Sequence, residues 1–210
     1  FWLFVFGMLH AYLMWYGDIL VAYACCAFVV YLFRRLRPGW LLTLGILSIS
    51  VCFALNIFMG WSVQYWPPEQ VEGMRVGLWE PSEALITKEI TAYRGGFMSQ
   101  MSMRWISALM IQTQAFLFWA AWRAGGLMLV GMALYKWGVL SAQRSRRFYA
   151  VMALLGFHIG IPVILYGARQ QFAHEWSFEY SWFFGMQFNY WGSLFVSAGY
   201  IGLILWLFKI

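Results

Sequence analysis

Apolar residues run almost unbroken from Phe1 to Phe33, and His10 and Asp18 are the only charged or imidazole side chains among them. A helix rises about 1.5 Å per residue, so a single helix of that length would reach about 50 Å, against a hydrocarbon layer of roughly 30 Å. The run therefore has to turn. Gly17-Asp18 is the natural break: glycine suits the left-handed residue after a helix, and aspartate suits the N-cap of the next one. The pattern predicts a tight hairpin of helices over 1–16 and 19–33.

"RRLRPG", Arg34 to Gly39, ends that hairpin with a basic turn, and a third apolar run predicts a helix over 40–62. Polarity then rises. "WPPEQVEGMRVGLWEPSE", Trp66 to Glu83, carries three Pro and four Glu and does not span. Ser82 is placed to cap a short helix over 83–94, whose Ile86, Ile90 and Tyr93, with Phe97 beyond, recur at helical spacing. One apolar face makes this a helix that lies on a membrane surface. Gly95-Gly96 closes it, within a loop assigned to 63–104.

Residues 105–122, "WISALMIQTQAFLFWAAW", are apolar enough to cross but contain Gln112 and Gln114. "RAGG", Arg123 to Gly126, predicts a break before a second apolar run over 124–140. Helices over 148–168 and 181–208 follow, separated by "RQQFAHEWSFEY". The pattern gives an all-α polytopic bundle of about six spans.

Composition agrees with a bilayer as solvent. The chain is 63% hydrophobic and 10% charged, where soluble domains carry about 25% charged residues. Its 14 Trp and 12 Tyr suit the two membrane–water interfaces. The net charge of +6 lies in short loops between apolar runs, so it reads as an orientation signal and not as a nucleic-acid surface. If 105–122 is re-entrant or interfacial and 124–140 is the span, all 8 acids fall on one side. The basic loops 34–37 and 144–147 then fall on the other, which the positive-inside rule makes cytoplasmic, with 63–104 and 171–180 extracytoplasmic. The chain opens at Phe1 inside an apolar run and closes at Ile210 just after another, so it reads as a fragment of a longer membrane protein. Cys25, Cys26 and Cys52 fall mid-run with no zinc spacing and read as buried thiols; no metal site is expected.

The polar residues at membrane depth carry the candidate chemistry. His10 is either a packed interhelical imidazole or a proton handler. Asp18 is first a helix cap, with room for a second role. His158, in "GFHIGIP", is followed by Pro162, which cannot donate to the His158 carbonyl; the pair reads as a kinked helix or as a polar notch for substrate. In "AYRGG", Arg94 is either a basic C-cap or a fork for carboxylate or phosphate, beside Tyr93 and the flexible Gly95. Arg104 and Arg123 read as snorkelling to headgroups. Gln187, Asn189 and Ser193 line a cavity or bond a neighbouring helix.

"FGMLHAYLMWYGDILVAYA", followed in order by "AYRGGF", "GLMLVGMALYKWG" and "GFHIGIP", resembles the YeiB-like bacterial inner-membrane proteins, a family of uncharacterised function. Its architecture is similar to that of integral-membrane acyltransferases. The resemblance implies an inner-membrane protein that moves an acyl group from an acyl-CoA-type donor to a cell-envelope glycan or lipid. It carries over His10, Gly17, Asp18, Tyr93, Arg94 and Gly95 as candidates, with His10 and Asp18 catalytic and Tyr93, Arg94 and Gly95 at the substrate, which His158 joins on the reading of its own notch. A proton-coupled carrier or flippase, and an accessory membrane subunit, are the competing readings.

Overall fold

The computed structural model describes residues 1–209 and contains helices and turns, with no strand among the described residues. Four helices are long and apolar enough to cross a membrane: α3 (Pro38–Tyr65), α6 (Phe97–Lys136), α7 (Arg146–Ala173) and α8 (Phe178–Phe208). Two shorter apolar helices, α1 (Trp2–Met14) and α2 (Leu20–Phe33), form the expected hairpin. Two more, α4 (Pro68–Leu78) and α5 (Glu83–Arg94), lie in the polar stretch. Large apolar side chains such as Phe28, Leu32, Leu47, Phe58, Leu154 and Ile204 are exposed on the span surfaces, as lipid-facing residues are.

The chain divides into two compact units: 1–52 with 68–133, and 53–67 with the residues from 134 onward. In the first, helices approach through glycine. A Cβ on Gly7 would meet the Val21 backbone nitrogen at 2.7 Å, which fixes how closely α1 and α2 pack. Gly45 and Gly126 face each other across α3 and α6, and a Cβ on Gly126 would lie 2.7 Å from the Gly45 carbonyl oxygen.

That contact explains the clearest departure from the sequence pattern. No break occurs at "RAGG": α6 is a single helix of 40 residues, so 105–122 is neither re-entrant nor a separate span. Gly125 and Gly126 are buried packing positions and not a helix stop. Between Ile111 and Ala120 the helix widens to π geometry, which absorbs Gln112 and Gln114 without ending it. The stretch between spans also shortens from 63–104 to 66–96, because α3 runs on to Tyr65 and α6 begins at Phe97. The cap at Ser82 is present: its hydroxyl accepts the Leu85 N–H at 3.4 Å, and α5 covers the expected residues.

In the second unit, α7 and α8 pack along a glycine seam. A Cβ on Gly156 would meet the Gly199 backbone, and one on Gly202 would meet the Ala153 backbone nitrogen at 2.6 Å. Tyr149 is fully buried, and its hydroxyl donates to the Val139 carbonyl at 2.8 Å, pinning the turn before α7.

Candidate functional site: a histidine–aspartate pair and a buried arginine

Asp18 performs two tasks. Its Oδ2 accepts the Val21 N–H at 3.0 Å, the side-chain cap expected of an aspartate three residues upstream of a helical N–H. Its Oδ1 meets His10 Nδ1 at 2.9 Å. Gly17 is not left-handed: Gly138 is the only glycine with positive φ among the described residues. The turn instead comes from an extended Trp15, after which Asp18 is carried back against α1.

His10 opens a π-helical turn, His10–Met14, in which the Trp15 N–H reaches five residues back to the His10 carbonyl at 2.8 Å. Such widened turns recur at functional sites because they turn a side chain out of helical register. The Asp18 side chain is 2% exposed and that of His10 is 36% exposed, so the carboxylate is enclosed while the imidazole reaches the surface. A carboxylate only accepts, so Nδ1 carries the proton and Nε2 presents a lone pair. Orientation by a buried carboxylate is the arrangement that serves general-base histidines.

Arg104 contacts the π-turn that carries His10, at Leu13. It is 5% exposed, so it is buried and does not snorkel. Its Nη1 donates to the Leu13 carbonyl at 2.7 Å, satisfying an acceptor at the end of α1, where helix carbonyls lack partners. Its Nη2 donates to Gln100 Oε1 at 2.9 Å. Gln100 Nε2 in turn donates to the Tyr93 carbonyl at 3.2 Å and the Gly95 carbonyl at 3.3 Å. Through these bonds the "AYRGG" turn is tied to the π-turn that carries His10. The Tyr93 hydroxyl is buried without a partner, and burial raises its pKa, with Tyr16 adding to the shift and Arg104 opposing it.

Of the sequence candidates, His10 and Asp18 are bonded directly, while Tyr93 and Gly95 reach the turn that carries His10 through Gln100 and Arg104. Arg94 is exposed on the outside of α5. His158 lies in the other unit, exposed, with Nδ1 2.8 Å from the Leu154 carbonyl of its own helix. The signal missed in the sequence was the four-residue spacing of Gln100 and Arg104, which places both on one helix face. Tyr12, also in the π-turn, donates to Gln112 Oε1 at 3.3 Å and so links the two widened helix segments.

Each unit also holds an apolar cavity. In the first, one of about 500 Å³ is lined by Cys25, Cys26, Leu47, Phe116 and Trp122 among others. In the second, one of about 490 Å³ is lined by Phe53, Tyr180, Phe184, Gln187 and Trp191 among others. The buried Gln187 donates to the Phe183 carbonyl, and its Oε1 has no partner. Among the described residues no three His, Cys, Asp or Glu side chains are grouped to hold a metal ion.

Residues 134–210 match a family described as "Protein of unknown function (DUF418)". The chain is 26% identical over 180 residues, 81% of its length, to the uncharacterized protein YeiB of Escherichia coli (strain K12), of which it covers 43%. The chain is thus similar to YeiB over most of its own length. Over 67 residues, 30% of its length, it is 42% identical to the uncharacterized protein YxaH of Bacillus subtilis (strain 168), covering 17% of that protein. It thus spans less than half the length of either relative. The family match falls in the second unit, whereas the histidine–aspartate pair lies in the first. No solved structure matches the chain.

Proposed function

We propose that this membrane protein transfers an acyl group to a hydroxyl of a cell-envelope glycan or lipid, with His10 as general base and Asp18 as its orienting carboxylate. The observation that carries the reading is the 2.9 Å contact between His10 Nδ1 and the enclosed Asp18 Oδ1, which leaves Nε2 available on a half-exposed ring. In the step, Nε2 takes the acceptor hydroxyl proton as the alkoxide oxygen bonds to the carbonyl carbon of an acyl thioester. The carbon–sulfur bond then breaks, and the imidazolium returns the proton to the leaving thiolate. The products are an ester and a free thiol. Tyr93 and Gly95 are tied to the His10 turn through Gln100 and Arg104.

A single crossing by α6 supports an orientation in the bacterial inner membrane. If each apolar helix crosses once, Asp18, the 66–96 stretch and the 174–177 turn share one side, and the basic turns at 34–37 and 144–147 share the other, which the positive-inside rule makes cytoplasmic. On this orientation the acceptor is approached from the extracytoplasmic face.

Membranes carrying the protein, supplied with a radiolabelled acetyl thioester, test the proposal. Label appearing in an envelope glycan or lipid fraction, and lost in His10→Ala, is the expected result. Proton-gradient-driven uptake of solute without label transfer would replace the enzyme with a carrier. A stable partner and no activity of either kind would replace it with an accessory subunit.

A further inference from the structure

Arg104 is an enclosed cation with no anion among its contacts. Its contacts are the Leu13 carbonyl, Gln100 Oε1, the Met101 sulfur at 3.8 Å and the Phe97 ring, whose centre is 6.0 Å from the guanidinium carbon. None carries negative charge. Neutral acceptors satisfy part of the guanidinium's hydrogen-bonding capacity but leave its charge uncompensated, which is costly away from water. Nε is buried and has no acceptor at all, and the Tyr93 hydroxyl within electrostatic range of Arg104 is likewise buried and unpartnered. Two buried donors and one positive charge thus have no acceptor for them among the described residues. The Phe97 ring, 6.0 Å from the guanidinium carbon, belongs to a residue that is 53% exposed.

From this geometry we infer that Arg104, with the Tyr93 hydroxyl, binds a phosphate group, either of a lipid headgroup or of a small soluble molecule. A phosphodiester carries one negative charge, which matches the single cation. Its oxygens take the guanidinium N–H fork that Gln100 and Leu13 hold in place, and a further oxygen takes the Tyr93 O–H. Gln100 is a positioning residue, since its amide orients Arg104 while its nitrogen is anchored on the Tyr93 and Gly95 carbonyls. This site stands on the uncompensated charge and not on acyl transfer, so either can fail without the other.

The test is binding, not turnover. Purified protein in neutral detergent is titrated with inorganic phosphate, against chloride at equal ionic strength, and its thermal midpoint is followed. In parallel it is titrated in that detergent with phosphatidylglycerol, against diacylglycerol as the control that carries no phosphate. The wild type is expected to be stabilised by at least one source. A response to inorganic phosphate identifies a soluble ligand, and a response to phosphatidylglycerol alone identifies a headgroup. Arg104→Gln abolishes the response, and Arg104→Lys, which keeps the charge but loses the fork, weakens affinity about tenfold. Tyr93→Phe leaves the unliganded midpoint unchanged and weakens affinity several-fold, which keeps the test decisive even where Arg104→Gln fails to fold. A wild type that responds to neither source, an equal response in Arg104→Gln, or unchanged affinity in Tyr93→Phe overturns the assignment.

Discussion

Asp18 holds His10 with one carboxylate oxygen and caps α2 with the other: Oδ1 lies 2.9 Å from His10 Nδ1, and Oδ2 takes the Val21 N–H at 3.0 Å. A single side chain thereby closes the α1–α2 hairpin and orients the imidazole. The two roles separate by substitution. Asp18→Asn retains an amide oxygen for the cap but loses the carboxylate that fixes the histidine tautomer, so it lowers acyl transfer far more than stability. Asp18→Ala also loses the cap, at a cost of about 1 kcal/mol. Thermal unfolding beside label transfer distinguishes the two. Equal activity in Asp18→Asn and wild type would contradict the orienting role.

Gly126 and Gly131 lie five residues apart on α6 and differ in surroundings. A Cβ at Gly126 would meet the Gly45 carbonyl oxygen at 2.7 Å, whereas one at Gly131 would meet nothing within 4 Å. Gly126→Ala is expected to destabilise by about 1–3 kcal/mol through overpacking against backbone. Gly131→Ala is expected to be neutral or to stabilise by up to about 1 kcal/mol, because alanine loses less conformational freedom in a helix. Unfolding of the two variants in the same detergent tests the continuity of α6 through "RAGG". Equal loss in both would refute the close α3–α6 approach.

Removing the Tyr149 hydroxyl takes from the buried Val139 carbonyl its closer donor and leaves it the Ala142 N–H at 3.4 Å. Tyr149→Phe should cost about 0.5–1.5 kcal/mol, the net worth of one hydrogen bond. The loss should appear first as faster hydrogen exchange in the 137–145 turn. Unchanged exchange there would show that the turn is held by its own backbone bonds, such as Gln143 N–H to the Gly138 carbonyl at 2.9 Å.

Arg75 bridges Glu72 and Glu80 on the exposed α4. The Arg75 hydrogen bond holds the Glu72 carboxyl below its ordinary value of 4.5. A depressed carboxylate contributes stability above its unfolded pKa and loses it as pH falls through the folded one. Protection of α4 amides should therefore be constant at neutral pH and decline as pH drops below 4.5. High salt should reproduce part of the decline at neutral pH, since exposed pairs are screened. Protection that is flat with pH would show that the pair contributes nothing.

Much of the fold was legible because span length and apolar runs are fixed by the bilayer. The hairpin at Gly17-Asp18, the cap at Ser82 and the end of α5 at Gly95 all followed from local chemistry. The continuity of α6 was hidden because glycine reads locally as a stop, and only its partner Gly45, 81 positions away in the chain, shows it to be a contact. In the site, the spacing marked His10 and Asp18 as candidates but not as bonded partners. Arg104 was misread for the same reason as Gly126: an arginine near a helix end snorkels unless another helix covers it, and the cover here is the π-turn of α1. Arg94, more conspicuous in "AYRGG", faces outward, and the residues beside it are the ones tied inward.

The central claim is that His10, oriented by Asp18, handles the proton of acyl transfer. Its most direct test is the initial rate of label transfer from an acetyl thioester in proteoliposomes of wild type and His10→Gln, with protein amount and thermal midpoint matched. The account predicts a fall of about 10²–10⁴-fold in His10→Gln, the usual contribution of a positioned acid–base group. A rate in His10→Gln equal to that of the wild type would contradict it.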